Sequence, residues 1–325
     1  KPEDIKDLIT KVVNKSECPE KNRKEFENLL KAYADVLAKK GDKVGLCKIY
    51  QPSIKLDTEE PIYVHQYPIP HAMREEMDKA IQEFLDEGII QYSKSPFNAP
   101  TLMVNKNDSG YRTVIDYRKL NLHVITDPFP LPRISQILED LGGCRYFTAL
   151  DLLNGFYNLE IKPSDRHKTA FSTFNGHYEF IRLPMGLKNS PSIFQRMMNV
   201  VLQGSLGKYA YIYIDDIVIY SKTAEEHLKH LVQVLSRIRL ANLRIKFSKC
   251  QWFKRTIQYL GFLVGEDGLQ VNPKKMTAVS HFPIPKDVKG VQAFLGLVGY
   301  FRIFVKNFAN MARPLYDLLK KDKPF

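Results

Sequence analysis

The 325-residue chain has little cysteine and no apolar run that approaches the length of a membrane span. Its four cysteines, Cys18, Cys47, Cys144 and Cys250, are scattered and form no CxxC. That pattern argues against a disulfide framework or a zinc ribbon and fits a reducing compartment. No charged, apolar and small-residue segments follow one another at the start, so a secretory signal is not expected. Internal repeats and low-complexity tracts are missing too. Metal-ligand types cluster locally only at Glu226, His227 and His230, on what reads as a polar, solvated helix face. The first residue is Lys1 rather than methionine, as in a piece of something longer.

What is present describes a globular α+β protein. Apolar residues make up 44% and charged residues 26%, and the length suits two or three lobes. The net charge of +12 is unevenly spread: residues 241–325 hold 15 Lys/Arg against 5 Asp/Glu. A basic C-terminal quarter points to a polyanion partner, most simply nucleic acid; a basic surface kept for solubility is the plainer alternative.

Periodicity predicts a helix over 20–41 stopped by Gly41, and a second with Met73, Met77, Ile81, Phe84 and Leu85 inward, closed by Gly88. Residues 88–121 read as strand, loop, strand, turn, strand, and 144–161 as a strand, a turn at Asn154–Gly155 and more strand. A hairpin is expected across Asn175–Gly176, and another over 256–271 turning at Glu266–Gly268. Ser190–Pro191 should open one helix as N-cap and N1. Thr223 and Glu226 should box the start of another, with Leu228, Leu231, Val232, Leu235 and Ile238 buried. After 282 only helical spacing remains.

One stretch breaks the expected chemistry of a strand. YIYIDDIVIY (211–220) sets Asp215 and Asp216 among apolar and aromatic residues, where charge is costly to bury. Strict alternation would put Asp215 with Tyr211 and Tyr213 on one face and Asp216 on the other. A surface turn is the competing reading, although Asp-Asp is a mediocre turn dipeptide. Asp151, in FTALDLLNGFY (147–157), also ends an apolar strand before a turn. Carboxylates converging from neighbouring strands repel unless a divalent cation joins them. Two Mg²⁺ ions about 3.5–4 Å apart, bridged by such groups, are the usual device for in-line attack on phosphate.

The segments SPFNAP (95–100), VIDYRKLN (114–121), PFPLPRI (128–134), LDLLNGFY (150–157), LPMGLKNSP (183–191), YIDDIVIYS (213–221), KCQW (249–252), YLGFLV (259–264) and FLGLVGYFRIF (294–304) stand in a telling order. From Ile89 to Leu319 the chain resembles the polymerase part of gypsy-type LTR retrotransposon reverse transcriptases, relatives of the retroviral enzymes. The resemblance implies a right-hand polymerase fold. Residues 1–60 would be an N-terminal extension or linker, 61–126 and 159–189 the fingers, 127–158 and 190–268 the palm, and 269–325 a helical thumb. It further implies an RNA- and DNA-templated DNA polymerase in the cytoplasm, within virus-like particles of the element. Partners would be primed RNA or DNA template and dNTPs, with a homodimer or other polyprotein products as further partners and no membrane. The KKDKPF end falls about where the family's RNase H domain would begin, so polymerase activity alone is expected of these residues.

By that resemblance Asp151, Asp215 and Asp216 hold two Mg²⁺, with Mn²⁺ as a substitute, and Asp216 acts less directly. Lys106 and Arg112 would grip the incoming triphosphate, while Asp116 and Arg118 hold the fingers together. Phe156 would exclude a 2′-hydroxyl by ring volume, where many relatives carry tyrosine. Met185 and Gly186 would lie against base and sugar; Met185 stands where gypsy-type relatives usually carry phenylalanine. Leu260 and Gly261 would hold the primer end, and Gln292, Gly296 and Tyr300, four residues apart, would track the duplex. A non-catalytic structural subunit that binds nucleic acid is the main rival. An RNA polymerase with a similar palm is disfavoured by Phe156.

Overall fold

The computed structural model describes residues 4–39, 41–105 and 110–320. Its centre is a four-stranded antiparallel sheet in the order Gln251–Lys254, Tyr146–Asp151, Asp216–Ser221, Ala210–Tyr213. Side-chain alternation loads both faces. Leu150, Ile212, Ile217 and Ile219 join the larger core, while Phe147, Val218 and Tyr220 join a smaller one behind the sheet. Helices Ser190–Val201 and Ala224–Leu240 contribute to the larger core, and helix Ile134–Asp140 to the smaller.

The Thr223 capping box forms as expected, with Thr223 Oγ1 accepting from the Glu226 N–H and Glu226 reaching back. The buried stripe is shifted from the expected one. Val232 is exposed, and His227 and Val234 are buried in its stead. His227 is therefore no solvated ligand type but a core residue. Its ring bonds Thr148 Oγ1 at 2.8 Å and Ser221 Oγ at 2.9 Å, which satisfies both nitrogens and makes the burial tolerable.

A second sheet runs Ile90–Tyr92, His177–Phe180, Phe171–Ser172, Ala99–Asn105, Tyr111–Ile115, with one parallel pairing, between Ala99–Asn105 and Phe171–Ser172. The expected Asn175–Gly176 hairpin and the strand pattern of 88–121 are both found in it. Helix His71–Asp86 stops ahead of Gly88, whose φ of +66° suits only glycine well.

Several elements depart from the sequence expectation. The helix predicted to reach Gly41 is Glu20–Ala32, preceded by another at Ile5–Lys15. Val36 and Leu37 are buried through a turn and a two-residue strand, Leu37–Ala38, parallel to Ile245–Lys246. Helical spacing of apolar residues did not distinguish these routes into the same core. Ser190 is the first helical residue, not the cap: its hydroxyl donates to Pro184 C=O, and Asn189 precedes it. After Asn154 the backbone turns into a 3₁₀ segment, Gly155–Asn158, in place of a strand. The expected hairpin over 256–271 is a three-stranded meander, Thr256–Tyr259, Phe262–Gly265 and Gly268–Gln270. It has an additional turn at Leu260–Gly261, where both residues have positive φ.

Helices Pro273–Ser280, Val288–Gly299 and Phe308–Asp317 close the chain. Val291, Leu295 and Ala312 form a small core of their own there. Among the described residues no helix is long and apolar enough to cross a membrane.

Burial, then the charge of His230, lowers the His227 pKa from 6.5 to about 3. The unfolded chain therefore takes up a proton below pH 6.5 that the folded chain refuses. Stability is whole above pH 6.5 and drains away as pH falls towards 3. Between pH 6.5 and 4 the loss from this group should be about 3 kcal/mol in urea titrations. His227→Gln should flatten that slope; an equal slope in the variant would refute the assignment.

Candidate active site

Asp151 is the last residue of its strand, and Asp216 is the first residue of the neighbouring one. The register pairs them directly, and the same Asp216 pairs with Tyr213 on its other side. Between Tyr213 and Asp216 the chain reverses at Ile214–Asp215. The strand alternation expected across Asp215 and Asp216 is thus broken by a tight turn. Asp216 does not stand on the far face from the site but opposite Asp151, with Asp215 at the tip. The pair is a turn and an acid cluster together.

The electrostatics record the crowding. Burial, opposed by Lys249 and Lys246 and aided by Asp215, raises the Asp151 carboxyl above its ordinary value. Solvent reaches part of Asp216, yet the atoms packed round its carboxyl, then the charges of Asp215 and Asp151, push it up to about 6. Beneath, Cys250 Sγ accepts from the Asp151 N–H at 3.3 Å.

A cleft of about 260 Å³ opens beside the acids, lined by Asp151, Asp216, Lys249, Gln251, Leu260 and Gly261 among others. The structure thus brings the Leu260–Gly261 turn to the carboxylates. Tyr259 Oη donates to the Asp216 carbonyl at 3.0 Å, and Tyr300 Oη donates to the Leu260 carbonyl at 2.5 Å. The Tyr300 ring stacks on Phe262, 4.4 Å between centroids. Tyr300 is therefore turned inward onto the hairpin, whereas Gln292 and Gly296 lie on the exposed face of helix Val288–Gly299.

Phe156 lies in the 3₁₀ turn after Asp151, half-buried and edge-on to Phe194 at 5.4 Å. Gly155 before it lies close to the acids: a Cβ there would stand in ordinary contact, 3.5 Å from Asp215 Cβ. Met185 is exposed and Gly186 has a φ of +89°. Their loop is clamped by Asn121, whose Nδ2 donates to Gly186 C=O and whose Oδ1 accepts from the Lys188 N–H, both at 2.8 Å. Gly186 also lies against Ile115 and Tyr117, at the end of the strand that carries the exposed Arg112. Asp116 takes two bonds from the Arg118 guanidinium, at 2.9 and 2.7 Å, which hold its carboxyl down at about 2. Lys106 lies outside the described residues.

Among the described residues no three His, Cys, Asp or Glu side chains form a ready-made metal cage. The donor chemistry nonetheless fits a hard divalent cation. Asp151 and Asp216 are direct register partners with Asp215 next in the chain, two of the three have raised proton affinity, and an oxygen-preferring ion would relieve the repulsion.

Comparison with known proteins identifies the family. Residues 104–264 match the family model described as reverse transcriptase (RNA-dependent DNA polymerase). The Pol polyprotein of Drosophila melanogaster transposon 297 is 40% identical over 302 residues, 91% of this chain and 28% of that protein. That of transposon gypsy is 38% identical over 314 residues, 95% of this chain and 30% of that protein. The chain belongs to the gypsy-type retrotransposon reverse transcriptases. It spans less than a third of those polyproteins. The foamy viral protease-reverse transcriptase solved with an RNA/DNA hybrid superposes with a TM-score of 0.87 at 27% identity, over 100% of this chain and 44% of that one. The same protein with double-stranded DNA gives 0.88 at 27% identity, over 99% and 67%. Those chains share the right-hand architecture of this reverse transcriptase domain.

Sequence reasoning missed Asn121, Lys249 and Cys250, although all three lie within motifs already singled out. Each acts through a backbone contact or a long-range charge, which a one-dimensional pattern does not display.

The raised pKa of Asp216 carries a stability cost. Folding must hold an ionised carboxylate whose pKa of about 6 exceeds the ordinary 3.8, so the cost is absent below pH 4 and complete above pH 6. In chelator at pH 7.5, Asp216→Asn should stabilise the domain by about 1–2 kcal/mol, a figure discounted for solvent screening. The gain should fade as pH falls to 4. A gain independent of pH would contradict this.

Proposed function

We propose that this domain is an RNA- and DNA-templated DNA polymerase that extends a primer with dNTPs. The observation that carries the reading is the direct register pairing of Asp151 with Asp216, with Asp215 on the turn beside them. The match to reverse transcriptases, including a relative solved with an RNA/DNA hybrid, supports it.

In this reading the primer 3′-hydroxyl attacks the α-phosphate of the bound nucleotide and pyrophosphate leaves. Asp151, Asp215 and Asp216 would hold two Mg²⁺ ions, replaceable by Mn²⁺, which supply charge neutralisation and lower the pKa of the attacking hydroxyl. The protein itself positions groups and excludes wrong ones. The Leu260–Gly261 turn, tied to both Asp216 and Tyr300, seats the primer end, and Gln292 and Gly296 offer an open face to the duplex. Arg112 and Lys106 meet the triphosphate; a guanidinium suits that role because it stays charged and binds two phosphate oxygens. Met185 and Gly186 lie against base and sugar. Phe156, braced by Phe194, fills the space a 2′-hydroxyl would need.

The division into lobes follows the same reading. The second sheet draws its strands from 61–126 and 159–189, as fingers would, and the central sheet from 127–158 and 190–268, as a palm would. Residues 269–325 are the thumb. Helices Ile5–Lys15 and Glu20–Ala32 of the N-terminal extension pack into the main core.

Primer extension on an RNA template with Mg²⁺ and dNTPs tests the reaction. Asp151→Asn should lower kcat by at least ~10²-fold, the scale of losing one group that stabilises the transition state. Tight binding of primer–template by the unaltered domain without extension would favour a structural subunit. Phe156→Ala should raise ribonucleotide incorporation by about tenfold or more, the order expected when a steric block is removed. Unchanged sugar discrimination would defeat the gate.

A further inference from the structure

The turn that carries Asp215 has an improbable residue at its bend. Ile214 sits at φ +59°, in the left-handed region that β-branched side chains rarely adopt. Glycine or asparagine would enter that region more easily. Such a conformation persists only where the surroundings over-determine it.

The surroundings do so through one side chain. Gln195, on helix Ser190–Val201, is buried to 1% exposure. Its Oε1 accepts from the Ile214 N–H at 2.8 Å, and its Nε2 donates to the Ile212 carbonyl at 3.0 Å. The amide's orientation is dictated, since a backbone N–H only donates and a carbonyl only accepts. Nε2 also donates to Asn199 Oδ1 at 3.0 Å, one helical turn on. On the other flank the turn packs near Gly155, where a Cβ would stand in ordinary contact, 3.5 Å from Asp215 Cβ. The backbone just before Asp215 is thus held by a buried amide.

We propose that Gln195 is the positioning residue for Asp215: its amide locks the Ile212–Ile214 backbone in the left-handed bend that presents the carboxylate. Glutamine alone has the right parts. Leucine would leave a buried N–H and C=O without partners, and glutamate would lose the donor and add a fourth negative charge. Gln195 touches neither the reacting atoms nor the carboxylate itself.

The activity readout rests on the polymerase reading, so a second readout is independent of it: Mn²⁺ binding to the protein, followed by electron paramagnetic resonance. Gln195→Leu should lower kcat about 10- to 100-fold, the scale of two buried hydrogen bonds. KM for dNTP and Kd for primer–template should stay within about threefold, since only the transition-state geometry is altered. Mn²⁺ affinity should fall by about tenfold through the displaced ligand. Adding Ile214→Gly to Gln195→Leu should recover about fivefold of kcat and part of the Mn²⁺ affinity, because glycine needs no outside support at positive φ.

Unchanged kcat and Mn²⁺ affinity in Gln195→Leu would overturn the proposal. So would a loss shared equally among kcat, KM and primer–template binding and not rescued by Ile214→Gly, which marks a merely structural glutamine. If Gln195→Leu does not fold, Asn199→Ala frees the amide more gently and should show the same kcat-specific split at about three- to tenfold; no split there refutes the claim. If the unaltered protein fails to extend a primer, the polymerase reading falls, while the Mn²⁺ comparison still decides the role of Gln195.

Discussion

Three carboxylates are held side by side against their own repulsion, and much of the fold can be understood as the means of holding them. Hydrogen-bonded strands do this well because register fixes neighbours to a fraction of an ångström. Asp151 and Asp216 cannot separate without unzipping a pairing that continues through six residue pairs to Tyr146 and Ser221. Apolar side chains on both faces of those strands make the unzipping costly: Ile217 and Ile219 sink into one core, Val218 and Tyr220 into another. A one-faced sheet would bend more readily under the same load.

The same demand accounts for the polar groups found deep inside. Thr148, one strand turn below Asp151, donates or accepts on both sides, bonding His227 and receiving the Phe253 N–H. Cys250 and Gln195 meet backbone groups at the ends of the acid-bearing strands. These are the places where the sheet stops and its ladder can no longer satisfy N–H and C=O groups. Helix Ser190–Val201 and the strand at Gln251 supply side chains where neighbouring strands cannot.

Legibility in the sequence followed the range of the interaction. Where local chemistry decides, as in the Thr223 capping box, the Asn175–Gly176 turn or the stop before Gly88, pattern and structure agree. The acids themselves were legible because charge inside an apolar run is conspicuous, and the ordered motifs identified their company. The bend at Ile214 was not legible. Isoleucine has no turn preference, and its cause, Gln195, lies nineteen residues upstream on a helix. His227 was misread for a related reason: a helix's polar face is polar only if nothing lies across from it, and here Thr148 and Ser221 do. The meander was taken for one hairpin because Leu260 at φ +48° is as unhelpful a signal as Ile214. Ile214 and Leu260, two of the non-glycine left-handed residues, stand beside the acid cleft, where tertiary contacts outweigh local preference.

A division of labour in charge follows. The acids stand at the end of a fully paired strand ladder, whereas Lys246 and Lys249 come from the short segment between Ile245 and Gln251 and oppose the rise in the Asp151 pKa. Most of the net positive charge lies further on, in the last quarter of the chain, whose helices share only a small core. That segment touches the acid-bearing body through Tyr300 stacked on Phe262, Phe304 tilted against the same ring, and the Tyr300 bond to Leu260. Tyr259, next to that turn, bonds the Asp216 carbonyl, so the hairpin touches both the basic helices and the acid-bearing strand. The acids thus stay tied to the sheet register, while the positive charge sits on helices with a small core of their own. The strands at 256–265 therefore join the basic helices to the acid-bearing sheet.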